Sequence, residues 1–341
     1  MLQPWHPTMA TVWRELTSSR LFGYGVSLTL CRNATASNDV GPVPVTRRRY
    51  ITAELTGRLG TEMFRYATLQ GLARRTNHTP IVLCRTMAKH FPFIAANCIH
   101  SRGKLAAKFL ENDICTVQLR ENHSSIYETS LVASVQKARN KNVYITRGFL
   151  QSWKYFHNVS HIIRQHFQFD ANVISFARKY LRSLIIRFEL NATDVTPIGV
   201  HVRRRDFLSR ASIKRGRSVA TADYFHAAMN YFRKQYTNCV FLVATDDVKW
   251  CRKHLMAPDV IMIADSKVKV TSRLQVSDIQ RDMGVLRLVE HNILSTGTFS
   301  WWIGWFTPGQ VVYYKNYIKK DSRMDRKFTA EDYFPPHWTG M

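Results

Sequence analysis

The chain has 341 residues, of which 45% are hydrophobic and 12% aromatic, and 49 Lys and Arg residues stand against 24 Asp and Glu. This composition provides enough apolar residues for the core of one large or two medium domains, and it argues against an intrinsically disordered chain. The formal net charge of +25 favours anionic partners such as phosphates, nucleic acid, membrane surfaces or acidic glycans, without choosing among them.

Residues 1–48 show no convincing periodicity, and they contain GPVPV followed by three arginines. We predict an irregular leader or stem outside the folded core. The mildly apolar run Leu21–Cys31 has 11 residues, whereas a spanning helix needs about 20. It resembles a weak signal peptide as much as a piece of the leader. We find no other stretch that is long and apolar enough to span a membrane.

From Tyr50 the pattern becomes regular. Residues 50–55 and 79–84 are predicted strands, and apolar residues at helical spacing predict a helix over Thr61–Arg75. A glycine turn at residues 57–60 joins the first strand to this helix. Strand, turn, helix and strand together make a βαβ unit.

A second series of elements begins near Thr196. Strands are predicted at 196–202, 239–245, 259–265, 291–295 and 310–315, with helices at 222–236, 247–255, around 282–290 and from the GTFSWW segment onward. Several of these strands are continuously apolar, as parallel strands buried on both faces are. We therefore predict an α/β fold of two doubly wound, Rossmann-type domains facing a cleft, in residues 49–190 and 191–341.

The stretch GVHVRRRDF places three arginines and an aspartate directly after a predicted strand. Doubly wound sheets bind ligands beyond the carboxyl ends of their strands, and a guanidinium group donates paired hydrogen bonds to phosphate oxygens. Arg203 and Arg204 point to opposite sides of an extended segment, so one can clamp a diphosphate while the other braces the site or pairs with Asp206. Arg205 is expected to be solvated. A structural ion-pair network without a ligand is the alternative.

Three further segments favour a nucleotide or phosphate site. Gly57 and Gly60 let the backbone approach a ligand at a helix N-terminus. Asp246 and Asp247 follow another strand and offer acceptors to a base or ribose, with helix capping as the alternative. Residues 295–300 offer hydroxyls and backbone N–H groups at a helix start, where plain capping, with the tryptophans in the core, is again the alternative.

Five motifs together resemble family 11 glycosyltransferases, the α-1,2-fucosyltransferases. GRLGTEMFRYATLQGLA, GFLQSWKYF, GVHVRRRDF, FLVATDD and HNILSTGTFSWW occur in the family's order and at matching separations. The likeness runs from about Tyr50 to the C-terminus and is strongest to the animal enzymes that act on β-galactosides. It implies a GT-B fold, GDP-β-L-fucose as donor, and inverting transfer to the 2-hydroxyl of a terminal β-galactose without a metal or other cofactor. The chain contains no Asp-x-Asp motif, which fits a metal-free site.

The resemblance also assigns site residues by position. Arg203 contacts the β-phosphate, Arg204 supports or contacts the nucleotide, and His201 orients the strand end. The other donor-site positions are Gly57, Arg58, Gly60, Asp246, Asp247, Ser295, Thr296, Gly297, Thr298, Phe299 and Ser300. The candidates for the catalytic base are Asp206, which the neighbouring arginines make a poor base, and Glu62; the third alternative is a transition state dissociative enough to need only a weak acceptor.

Two positions depart from the family pattern. Thr61-Glu62 stands where the family usually has Asn-Gln or Asn-Glu, and Arg205 replaces the usual Gly. The remaining alternatives for function are a fucosyltransferase-like protein that binds GDP or glycans without activity, and a basic nucleic-acid-binding protein, for which we find no recognised motif.

The compartment is indicated by glycosylation sequons. Five asparagines head an Asn-x-Ser/Thr acceptor: Asn33, Asn77, Asn122, Asn158 and Asn191. They favour a lumenal or secreted protein. The six cysteines include no Cys-x-x-Cys pair, which argues against a zinc ribbon or a thioredoxin-like site. Animal members of the family are typically type II Golgi proteins, so the resemblance implies the Golgi lumen or membrane, with secretion as the alternative because no anchor is evident.

Overall fold

The computed structural model describes residues 49–54, 56–83, 85–99, 116–187, 195–265 and 276–341. The predicted leader and the sequons at Asn33 and Asn191 lie outside these residues. The chain divides into two compact units. Unit 1 contains the described residues up to Arg58 together with Glu62–Phe167, and unit 2 contains Leu59–Thr61 and Gln168–Met341. No helix in the described ranges is both long and apolar enough to cross a bilayer.

Unit 1 is built on a four-stranded parallel sheet with the order β2-β1-β4-β3. Its strands are β1 (Tyr50–Ala53), β2 (Thr79–Ile81), β3 (Thr116–Arg120) and β4 (Asn142–Arg147). Its helices are α1 (Leu59–Thr76, whose first three residues group with unit 2), α2 (Pro92–Asn97), α3 (Thr129–Lys137) and α4 (Ser160–His166). The predicted βαβ unit is confirmed, since β1 pairs in parallel with β2 and α1 lies between them in sequence.

Unit 2 contains a six-stranded sheet whose neighbouring strands are all parallel, in the order β10-β9-β8-β5-β6-β7. The strands are β5 (Thr196–Val202), β6 (Cys239–Thr245), β7 (Val260–Met262), β8 (His291–Leu294), β9 (Val311–Tyr313) and β10 (Thr339–Gly340). The helices are α5 (Ala171–Arg187), α6 (Arg210–Arg215), α7 (Ala222–Gln235), α8 (Val248–His254), α9 (Asp278–Leu286), α10 (Thr298–Phe306) and α11 (Ala330–Tyr333). The predicted α/β class, with parallel sheets in two units, is confirmed.

Short 3₁₀ helices connect several of these elements. They are Thr86–Lys89, Trp153–Tyr155, His157–Val159, Ile263–Asp265, Lys315–Tyr317 and Asp325–Lys327.

Local sequence explains where the helices of unit 2 begin. The Thr221 hydroxyl accepts the Tyr224 N–H at the start of α7. Ser277 and Gln280 form a capping box on α9, in which each side chain satisfies a backbone N–H of the other residue. The central strands β5 and β6 are almost completely buried, as their continuous apolar runs predict.

The division between the units falls after Phe167, earlier in the chain than the predicted boundary at 190/191. Helix α5 is the reason, because it packs on α9 of unit 2. A Cβ at Gly284 of α9 would lie 3.1 Å from Cβ of Ala177, and the Tyr180 hydroxyl donates to the Ile263 carbonyl at 2.7 Å. Sequence periodicity predicts the helix but not the unit in which it packs.

The chain order in the unit 2 sheet reverses between β5 and β8. From β5 the chain adds β6 and β7 on one side, and it then returns to add β8, β9 and β10 on the other. The carboxyl ends of β5 and β8 therefore flank a topological switch point, where sheets of this kind bind ligands.

Candidate functional site

The carboxyl edge of the unit 2 sheet gathers most of the predicted donor-site residues. Val202 of β5 lies opposite Thr245 of β6, and His201 lies opposite Leu294 of β8. Because these strands are parallel, the segments that follow them emerge at the same edge. The structure thus brings together residues 203–206, 246–247 and 295–300.

Arg203 is held at this edge by its backbone and by its side chain. Its N–H donates to the Ser295 hydroxyl at 2.8 Å. Its guanidinium Nε and Nη2 donate to the two carboxylate oxygens of Asp206 at 3.0 and 2.9 Å, and the arginine side chain is 22% exposed. This pair uses two of the five N–H donors of a guanidinium group, which leaves three for a ligand.

Arg204 is oriented away from that pair by a set of contacts of its own. Its guanidinium lies 3.8 Å from the centroid of the Trp250 ring, donates to the Ala220 carbonyl at 3.2 Å and faces the Asp247 carboxylate at 3.7 Å. Its backbone N–H donates to Asp246 Oδ1 at 2.9 Å. Asp247 also accepts the Trp250 N–H at the start of α8, so it does act as a helix cap. Arg204 and both aspartates therefore brace the edge.

His201 is a neutral, buried connector. Burial, together with the charge of Arg203, lowers the pKa of His201 to about 3. Its Nδ1 lies 2.5 Å from the Ser300 hydroxyl, which links the end of β5 to the first turn of α10. An imidazole that stays neutral throughout the physiological range does not serve as a proton carrier there.

The start of α10 combines internally bonded hydroxyls with an uncapped backbone. Ser295 and Ser300 bond to Arg203 and His201, and Thr296 Oγ1 is buried without a hydrogen-bond partner among the described residues. Gly297 is the N-cap residue with φ 95°, and no side chain caps the helix. The first N–H groups of a helix lack intrahelical acceptors, so this end is suited to an anion.

Gly60 lets the start of α1 pack closely against the start of α10 within unit 2. A Cβ on Gly60 would lie 2.7 Å from the carbonyl carbon of Thr298 and 2.8 Å from the Phe299 nitrogen. Its carbonyl accepts the Trp302 indole N–H at 2.9 Å. Trp302 is completely buried, in agreement with the core interpretation of the tryptophans.

The remaining predicted residues belong to unit 1. Gly57 is exposed with φ 98°, a left-handed value that favours glycine, and Arg58 is exposed at the start of α1. Glu62 is completely buried. Its carboxylate accepts the Met87 N–H at 3.2 Å and faces the Arg85 guanidinium at 3.6 Å.

A second polar cluster in unit 1 was missed by the sequence analysis. Glu121 follows β3 and is buried, and its Oε2 accepts the Leu150 N–H at 2.8 Å. Arg65 of α1 is also buried, with its guanidinium 5.6 Å from the centroid of the Phe149 ring. The GFLQSWKYF motif contains Phe149 and Leu150, so the motif was the available signal, but nothing in the local sequence marks Glu121 as buried.

Burial shifts the pKa values of both charged groups of this cluster, Glu121 and Arg65. It raises the pKa of Glu121 to about 8; the Leu150 N–H lowers this pKa and the Glu128 carboxylate raises it. Burial also lowers the pKa of Arg65, against the opposing charges of Glu54 and Glu121. Arg65 Nε and Glu121 Oε1 have no hydrogen-bond partner in the part of the chain that the structure describes.

The sequons and cysteines that can be placed are compatible with an oxidising compartment. Asn77, Asn122 and Asn158 are exposed. Cys98 is disulfide-bonded, whereas Cys239 and Cys251 are free and buried. Within the described ranges, no three His, Cys, Asp or Glu side chains are grouped so that they could hold a metal ion.

Solved structures that resemble the chain include two fucosyltransferases. A variant of Arabidopsis thaliana FUT1 in complex with GDP has a TM-score of 0.48 at 12% identity, covering 81% of this chain and 72% of that one. Fucosyltransferase NodZ from Bradyrhizobium has a TM-score of 0.45 at 14% identity, covering 82% of this chain and 100% of that one.

The fold defines an α/β protein whose candidate site lies at a basic sheet edge, beside a topological switch point. The family model "Glycosyl transferase family 11" matches residues 21–341, and the chain belongs to this family. Galactoside alpha-(1,2)-fucosyltransferase 2 of Pongo pygmaeus is 28% identical over 314 residues, covering 90% of this chain and 83% of the relative. Galactoside 2-alpha-L-fucosyltransferase Sec1 of Mus musculus is 29% identical over 306 residues, covering 88% of this chain and 76% of the relative.

Proposed function

We propose that this protein is a galactoside 2-α-L-fucosyltransferase that moves L-fucose from GDP-β-L-fucose to the 2-hydroxyl of a terminal β-galactoside, with inversion and without a metal. The names of its relatives support the reaction, and one structural observation carries the donor site. Arg203 stands at the β5/β8 switch point beside the uncapped start of α10, with guanidinium donors left over from its pair with Asp206. We assign the donor to unit 2 and the acceptor to unit 1.

The chemistry of this edge suits departure of GDP. The bond between fucose C1 and the β-phosphate oxygen breaks, and a bond forms from C1 to the galactose 2-oxygen, which loses its proton. Negative charge then grows on the diphosphate, where Arg203 and the first N–H groups of α10 can stabilise it in place. Asp206 positions the Arg203 guanidinium, and Arg204 braces the strand end from the other side.

The contacts of Asp206 and the burial of Glu62 argue against either carboxylate as the base. Both oxygens of Asp206 accept from Arg203, and Glu62 is completely buried. We therefore propose a dissociative reaction in which the 2-hydroxyl loses its proton late, to a weak acceptor such as water or an oxygen of the departing diphosphate. The Golgi lumen is the compartment we propose, in agreement with the exposed sequons.

A transfer assay tests the function. The purified chain is incubated with radiolabelled GDP-fucose and a panel of β- and α-galactosides, with and without EDTA, and the products are subjected to linkage analysis. We expect α-1,2-linked fucose on β-galactosides only, at a rate that EDTA does not change. GDP binding without transfer to any acceptor would indicate a binding protein, and a strict manganese requirement would contradict the metal-free site.

A further inference from the structure

An exposed aromatic ring stands on a turn of unusual backbone conformation in unit 1. Gly148 has φ 125° and Leu150 has φ 55°, and the latter value is uncommon for a residue with a branched side chain. Phe149 lies between them with 43% of its surface exposed, while Leu150 is buried. Backbone strain of this kind persists only where surrounding structure enforces it, and it concentrates at functional sites.

Three hydrogen bonds enforce the turn on the C-terminal side of the ring. The Glu121 carboxylate accepts the Leu150 N–H at 2.8 Å, and the Leu150 carbonyl accepts the Thr68 hydroxyl at 3.1 Å. Gln151 donates its N–H to the Ser124 carbonyl at 2.9 Å. This last bond joins two backbone groups, so it fixes the end of the turn whatever side chains surround it.

On the N-terminal side of the ring, the Glu121 N–H donates to the Arg147 carbonyl at 2.9 Å and so fixes the residue before Gly148. A Cβ at Gly148 would lie 2.7 Å from Glu121 Oε2, so only glycine leaves room for this carboxylate. The turn is thus held on both sides of Phe149, and the ring itself is left exposed.

A buried guanidinium group lies over one face of the ring. Arg65 is 4% exposed, it stands 5.6 Å from the centroid of the Phe149 ring, and its Nε has no acceptor among the described residues. The guanidinium lies over one face of the Phe149 ring, so the exposed part of the ring is left to stack on the C–H groups of a sugar.

We propose that Phe149 is a stacking platform for the acceptor galactose ring and that Arg65 supports the ring from the opposite face. This inference rests on the proposed function, because it assigns the acceptor of that reaction to unit 1. The apolar face of a β-galactoside carries C–H groups with partial positive charge, and the face of an aromatic ring is negative. Glu121 is a positioning residue here, since it shapes the turn that presents the ring.

The test is Phe149→Ala, assayed with phenyl β-D-galactoside as acceptor. Because Phe149 is exposed, the variant is expected to fold. We expect the acceptor KM to rise about 10-fold, which corresponds to one aromatic contact. The GDP-fucose KM should not follow this rise, because the donor is assigned to unit 2, and Phe149→Tyr should restore the acceptor KM.

Phe93→Ala is the matched control. Phe93 is 37% exposed in the same unit, but its ring stacks on His166 at 3.9 Å. This variant should leave the acceptor KM unchanged. An acceptor KM for Phe149→Ala within about twofold of wild type, or an equal rise for Phe93→Ala, would overturn the proposal.

Failure of the proposed function gives a different result. If the wild-type chain transfers fucose to no β-galactoside, binding of phenyl β-D-galactoside is followed instead by saturation-transfer NMR. Binding to wild type and to Phe93→Ala that is lost in Phe149→Ala would support the platform. Absence of binding to wild type would overturn it.

Discussion

Arg203→Ala is expected to lower kcat/KM for fucosyl transfer by at least about 100-fold, the cost of removing one preorganised charge-stabilising donor. The fold should survive, because the Arg203 side chain is partly exposed and its N–H keeps its bond to Ser295. Asp206 loses this arginine but is 36% exposed, so water can solvate it. Steady-state kinetics and a thermal melt of the same sample measure both effects.

Arg205→Ala provides the matched control for this prediction. Arg205 is exposed and lies two positions along the same turn. Its replacement removes the same charge from the same segment, and it should leave kcat/KM within about twofold, because a solvated side chain makes no preorganised contact with the leaving group. Near-normal turnover of Arg203→Ala, or an equal loss in both variants, would refute the assignment of Arg203 to the leaving group.

Glu121→Gln is expected to flatten the pH dependence of stability. The pKa of Glu121 is about 8 in the folded chain, against 4.5 for a free glutamate side chain. Between these pKa values the folded chain binds one more proton than the unfolded chain. The contribution of Glu121 to the stability of the fold is therefore fully present below about pH 4.5 and is lost as the pH rises towards 8. Glutamine does not titrate and keeps an oxygen for the Leu150 N–H.

Denaturant unfolding between about pH 5 and pH 8 measures this difference. As the pH rises, the free energy of unfolding of the variant should increase relative to that of wild type by up to about 1.4 kcal/mol per pH unit, or roughly 4 kcal/mol over the range. Glu331→Gln, which changes an exposed carboxylate, should leave the slope of wild type unchanged. Parallel curves for wild type and Glu121→Gln would show that Glu121 stays ionised in the folded chain.

Much of the unit 2 sheet could be predicted because its strands are buried on both faces. The predicted bounds 196–202 and 239–245 agree with β5 and β6. Strand β3 has the sequence TVQLR at a sheet edge and is only partly buried; its polar and apolar residues alternate over five positions, a signal that the sequence analysis missed. The predicted strand 259–265 is shorter in the structure, because a 3₁₀ helix begins at Ile263.

The hydrogen-bond partners of the candidate site residues were harder to predict than the positions of these residues in the fold. The motif placed Ser295 and Ser300 correctly at a helix start, but their hydroxyls bond within the protein to Arg203 and His201. A hydroxyl accepts and donates in many directions, so its partner depends on tertiary packing and not on the neighbouring sequence. Burial of Glu121 has the same origin, since it depends on the distant turn at Gly148.

The central claim is that guanidinium and backbone N–H groups at the β5/β8 switch point take up the charge of the departing nucleotide. A crystal structure of the chain with GDP tests it most directly. We predict the diphosphate within about 3 Å of the Arg203 guanidinium and at the first turn of α10. GDP bound elsewhere, remote from His201 to Asp206, would contradict the account.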